Sequence, residues 1–205
     1  MTWIRDNGLT LVLMALFLAS LTGQAWAGWL SAVDEISRHG GAAPSALGYV
    51  ASGEFIAAVF ENWESEFLQM AAYVVLTAHL FQRGSAESRD PDKLGREGDQ
   101  PKPGFWGWAY AHSLGLALAA LFLLSFAAHL FGSAEHARDE AMQHGEAAQS
   151  LWRHLTGPQF WFESFQNWQS EFLSTAVLVV LSIFLREHRS PESKPLSASN
   201  SETGA

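Results

Sequence analysis

The chain has 205 residues, 48% of them apolar, with 9 Trp, 14 Phe, no Cys and a formal charge of -9. The lack of cysteine excludes a disulfide, a zinc–thiolate cluster and a thiol nucleophile. Scattered Lys and Arg (12) against 21 acids leave no basic face for nucleic acid, and a mean hydropathy of +0.03 hides four long segments almost free of charge.

A hydrocarbon core about 30 Å thick is crossed by roughly 20 helical residues at about 1.5 Å each. Residues 9–27 form the first such window and carry no charge. Arg5 and the Ala25-Trp26-Ala27 end also fit a cleaved secretory leader. Asp6 beside that lone Arg weakens the fit, and a counterpart deep in the chain favours a retained span. Ser31 with Asp34 reads as a capping box that opens a short outer helix, closed by His39 and Gly40. Residues 67–81 are uncharged, and counting back about 20 residues from Arg83 starts the second span near Trp63. Residues 84–104, rich in Ser, Pro, Gly and charge, read as a disordered loop. The third window is 113–131, followed by an acidic outer helix bearing Glu135, Asp139, Glu140 and Glu146. The fourth runs from near Gln166 to Arg186, and the tail 190–205 again reads as disordered.

Basic residues are retained on the cytoplasmic side. With both termini and the 82–104 loop inside, the inner segments hold nine Lys and Arg and the outer ones only Arg38, Arg138 and Arg153. The acids divide nine inside and twelve outside, so the outer face bears the net charge of -9. The expected location is a bacterial inner membrane, crossed several times.

An offset of 105 residues aligns the chain with itself. Phe60-Glu-Asn-Trp-Glu-Ser-Glu-Phe-Leu68 falls on Phe165-Gln-Asn-Trp-Gln-Ser-Glu-Phe-Leu173, and Ser85, Glu87 and Ser88 fall on Ser190, Glu192 and Ser193. The predicted architecture is an all-α membrane protein: a four-transmembrane-helix bundle of two tandem parallel helical hairpins, 1–83 and 105–189, with pseudo-two-fold symmetry and short extracytoplasmic helices. Gly115, Ala119, Ala15, Ala19, Ala71 and Ala72 are the small residues expected to admit close helix approach.

The doubled F-x-N-W-x-S-E-F-L motif, the short span before it and the tail Arg186-x-His188-x-Ser190-Pro191-Glu192-Ser193 resemble a family of small bacterial integral membrane proteins known as a domain of unknown function. The resemblance covers nearly the whole chain. It implies a multi-span inner-membrane protein and brings no activity, ligand or catalytic residue with it.

At 100° per residue, Asn62, Glu66, Gln69 and Tyr73 fall within about 60° of one another on a helix. Asn167, Glu171 and Ser174 repeat that stripe, with Leu178 in place of the Tyr. Trp63 and Trp168 lie roughly opposite, where interface anchors belong. Carboxylates one turn inside a membrane boundary suit a cation or proton site. Equally, they suit the positive end of a helix dipole, with Asn bonding a neighbouring helix. Glu35 with His39, and His136, Glu140 and His144, have the spacing of a weak divalent-metal site; solvated helix ends explain them as well. His79, His112 and His129 have no repeated partner and read as helix contacts.

No hydrolase, zinc-protease, phosphate-loop or dinucleotide fingerprint occurs, so neither an enzyme nor a cofactor is indicated. The favoured reading is a structural or accessory membrane protein whose partners are the lipid bilayer and either a second copy or a larger membrane complex. The alternative is a small cation- or proton-linked transporter or channel that uses Glu66 and Glu171.

Overall fold

The computed structural model describes residues 2–38, 41–93 and 100–204, and all eight elements among them are α-helices. They are α1 (Thr2–Asp6), α2 (Gly8–Arg38), α3 (Ala46–Val50), α4 (Gly53–His79), α5 (Phe105–Ala111), α6 (Ser113–Gln143), α7 (Leu151–Leu155) and α8 (Pro158–Phe184). Two of them, α2 and α6, are long and apolar enough to cross a membrane. At 31 residues each is about 46 Å long. The bounds of α6, α7 and α8 lie 105 residues beyond those of α2, α3 and α4.

Two expectations about boundaries are corrected. No helix opens at Ser31, because α2 runs unbroken from Gly8 to Arg38. Its internal breakers, Gly23 and Gly28, each cost only about 1 kcal/mol, too little to end a long apolar helix. Likewise α4 and α8 begin well before Trp63 and Gln166. Ser52 opens α4, its hydroxyl accepting from Phe55 N–H at 3.3 Å, while Pro158 at the first turn of α8 brings a pre-set φ and no N–H to satisfy.

The chain packs as two compact units, Met1–Val59 with Ala128–Arg153, and Phe60–Ala127 with His154–Ala205. In the first, Ser45 caps α3 by accepting from Gly48 N–H at 3.1 Å. The ring of Tyr49 then lies against Gly28, where a Cβ would stand 2.3 Å from its hydroxyl. Trp29 fastens the connection by donating its indole N–H to Pro44 O at 2.9 Å. The start of α4 meets the end of α6 backbone to backbone: a Cβ on Gly53 would lie 2.6 Å from Gly132 O, and one on Gly132 would lie 2.7 Å from Ala57 N. Gly115, the expected point of close approach, is ordinary by comparison, with Val75 Cγ2 at 3.7 Å from its notional Cβ.

In the second unit hydrogen-bonded turns follow the helix ends within the described residues 84–93 and 190–204. Ser85 Oγ accepts from Glu87 N at 3.1 Å, and Ser190 Oγ from Glu192 N at 3.2 Å. Ser88 Oγ accepts from Gln82 N at 2.8 Å, and Ser193 Oγ from Glu187 N at 2.9 Å. One S-x-E-S sequence thus closes one kind of turn in two places. The first turn docks on α8, since Ser85 and Ser182 hydroxyls share a 2.9 Å hydrogen bond.

The tail then folds back on that turn. Lys194, 1% exposed, donates to the carbonyls of Gly84 (2.5 Å), Ser199 (3.1 Å), Asn200 (3.4 Å) and Glu202 (2.9 Å). Loss of hydration, with Arg186 nearby, pulls its pKa below the ordinary lysine value. Gly84 has φ 87° and no room for a side chain, because its Cβ would stand 2.5 Å from Asn200 O.

Two outcomes follow. Gly132→Leu should cost about 1–3 kcal/mol through overpacking, seen as a lower Tm of the purified protein, whereas Gly115→Ala should leave Tm nearly unchanged. Lys194→Met removes hydrogen bonds of a charged donor, each of which contributes about 1.5–3 kcal/mol. Limited proteolysis should then cleave the tail rapidly while the helical circular dichroism signal persists.

Candidate functional site

The doubled motif lies on α4 and α8, and its polar atoms bond from one helix to the other. Asn167 donates its amide N–H to the Glu61 carboxylate and, at 3.3 Å, to Glu163 O. Trp168 donates its indole N–H to Glu64 Oε1 at 2.9 Å, and Glu64 is 0% exposed. The motif serines stay on their own helices, Ser65 bonding Asn62 O and Ser170 bonding Asn167 O, both at 2.8 Å.

Aromatic rings dry this seam. Trp168 meets Phe165 at 5.3 Å, and Phe122 and Trp161 each at 6.2 Å between centroids. Phe160, 0% exposed, lies edge-on to Phe126 at 5.4 Å. An indole N–H and a carboxylate brought together among rings satisfy each other, and leaving either one alone there would be costly.

The residues of the expected stripe meet different surroundings along α4 and α8. Asn62 and Glu66 are exposed, Glu171 is half-buried beside Glu66, and Ser174 is exposed with its hydroxyl on Glu171 O at 2.9 Å. Gln69 and Tyr73 instead line a cleft of about 390 Å³ between α4 and α8. Trp168, expected as an interface anchor, is half-buried and donates its indole N–H to Glu64 inside the seam. Trp63 packs edge-on against Phe60 of its own helix at 5.1 Å.

One end of the cleft is polar. Tyr73 donates its hydroxyl to Glu87 Oε2 at 3.1 Å, and Glu87 Oε1 is buried without a hydrogen-bond partner. Burial pushes the Glu87 carboxyl above the usual range; the Tyr73 hydroxyl opposes this, and neighbouring Glu192 adds to it.

Of the residues with metal-ligand spacing, His136 Nε2 stands 3.6 Å from Glu140 Oε1, Glu35 and His144 are exposed, and His39 lies outside the described residues. Among the described residues no three His, Asp or Glu side chains converge as a metal ion requires. His129 is fully buried on α6.

Sequence reasoning passed over Glu61, Glu64 and Glu87. The signal for the first two was present, since the doubled motif keeps its Asn, Trp and Ser yet has Glu at 61 and 64 where the later copy has Gln166 and Gln169. Glu64→Ala should cost about 1–3 kcal/mol, because it strands the Trp168 N–H, while Glu64→Gln keeps an acceptor and should cost markedly less. Thermal melts of the two variants check the order.

A family model described as "Domain of unknown function (DUF6766)" matches residues 1–205. No curated protein and no solved structure matches the chain. Matched from end to end and helical throughout its described elements, the chain belongs to this family of unknown function.

Proposed function

We propose that this protein is an integral inner-membrane scaffold of bacterial type. In this reading α2, α4, α6 and α8 cross the bilayer, both termini are cytoplasmic, and two tandem hairpins are related by a pseudo-two-fold axis. The cross-helix hydrogen bonds of the doubled motif, Glu61 with Asn167 and Glu64 with Trp168, carry the proposal. They join four of the motif's polar side chains from one helix to the other, as a packing role requires and an open ion path does not.

Further support comes from the helix surfaces. Residues 9–20 of α2 are exposed on every side, with Leu9 at 74%, and such a helix is stable only if lipid covers it. The shared offset in the helix bounds and the twice-built S-x-E-S turn support the tandem hairpins. The excess of Lys and Arg in the inner segments supports the orientation. As a scaffold the protein acts by assembling with a second copy or with a larger membrane complex.

A second reading, a cation- or proton-linked channel, draws on the proximity of Glu66 to Glu171. Reconstitution separates the two. Liposomes containing the wild-type protein should conduct protons and monovalent cations no faster than empty ones, and the Glu66→Gln, Glu171→Gln double variant should behave identically. A flux that disappears in the double variant overturns the scaffold in favour of the channel. Reporter fusions should place the 82–104 loop and the tail in the cytoplasm.

A further inference from the structure

The cleft between α4 and α8 combines two features that structural packing leaves unexplained. Its walls are apolar side chains, among them Leu76, Phe81, Phe172 and Val179, and its volume of about 390 Å³ lies within the range of small-molecule sites. One end is closed by Glu87, whose Oε1 is buried and has no hydrogen-bond partner. A carboxylate so placed is ordinarily met by a cation.

No cation among the described residues meets it. Among the described residues no Lys or Arg pairs with Glu87, and its charged neighbour is another acid, Glu192, whose side chain lies within hydrogen-bonding reach of it, so two acids stand together here without a cation. Arg89, two residues along, is turned away: its guanidinium bonds Ala78 O and lies over the Phe81 ring, 5.5 Å from the centroid. Tyr73 bonds the other carboxylate oxygen, which fixes the group at the end of the cleft that it lines.

We propose that this cleft binds a lipophilic monocation, an apolar body with one ammonium or phosphonium centre, with the charge against Glu87 and the body between α4 and α8. The chemistry is complementary in both parts. The apolar walls take the body, the aromatic rings of Tyr73 and Phe172 favour a diffuse positive charge, and the acid pair Glu87 and Glu192 selects its sign. The site goes beyond the scaffold reading and is independent of it, since α4 and α8 form this cleft whether or not the protein assembles with a partner.

The test is equilibrium binding of tetraphenylphosphonium to the full-length protein in detergent, with neutral triphenylphosphine oxide as comparator. Saturable tetraphenylphosphonium binding is expected, weakened at least about tenfold by Glu87→Gln, equivalent to about 1.4 kcal/mol. The neutral comparator should bind more weakly and be indifferent to that substitution. Glu87→Gln is expected to fold well. A carboxyl held above its ordinary pKa contributes most to stability while protonated and loses that contribution as pH rises through its folded value, so the neutral amide should raise Tm at neutral pH.

Ala176→Trp fills the cleft without touching Glu87 and should abolish the saturable component. Tetraphenylphosphonium binding that is merely partitioning, or that is equal in wild type and Glu87→Gln, overturns the proposal. If Glu87→Gln fails to fold, Ala176→Trp decides, and saturable binding retained in that variant overturns the proposal equally.

Discussion

The seam between α4 and α8 depends on one demand: a carboxylate removed from water must find its hydrogen bonds inside the protein. Glu64 meets it with the indole N–H of Trp168, and Glu61 with the amide of Asn167. The surrounding rings raise the cost of breaking either contact, because a dry setting strengthens a made hydrogen bond and penalises an unmade one. Apolar surfaces alone would let two greasy helices slide or rotate against each other. Directional bonds at two successive turns fix register and rotation together, and the cleft further along the same pair keeps its shape as a result.

The connection after α4 and the tail after α8 extend this order beyond the helices. The S-x-E-S turns use serine hydroxyls to satisfy backbone N–H groups of the residues just beyond the helix ends. The tail adds a buried ammonium surrounded by carbonyl dipoles. Segments of Ser, Pro, Gly and charge cannot bury much apolar surface, so order here comes from polar saturation: the chain wraps a cation and lets its own backbone replace the lost water.

Much of the architecture was legible in the chain itself. Long uncharged runs announced α2 and α6, and the 105-residue offset located the matching ends of α4 and α8 once one copy was known. What stayed hidden was contact. Helical-wheel reasoning ranked Glu66 with Asn62, Gln69 and Tyr73 because it orders residues by angle on one helix, whereas the neighbouring helix decides which polar groups are answered, and it answers Glu61 and Glu64. The hydrogen-bonded turns beyond the helix ends stayed hidden for a related reason. Composition registers how little apolar area a segment offers, but not that Lys194 can be coordinated by four carbonyls. The doubled S-x-E-S was visible as a repeat yet silent as a turn, since its hydroxyl bonds depend on a backbone path that spacing alone does not specify.

The meeting of Gly53 with Gly132 also bears on how far the two halves of the chain are alike. Shifted by the internal offset, Gly53 corresponds to Pro158 and Gly132 to Ala27, so neither half of the chain holds both members of this notch in equivalent places. A protein made of two first halves would set an alanine methyl where the backbone of α4 now rests, and one made of two second halves would begin both hairpin return helices with proline. The two halves are therefore not interchangeable at this contact, since the glycine that admits it stands at a different place in each.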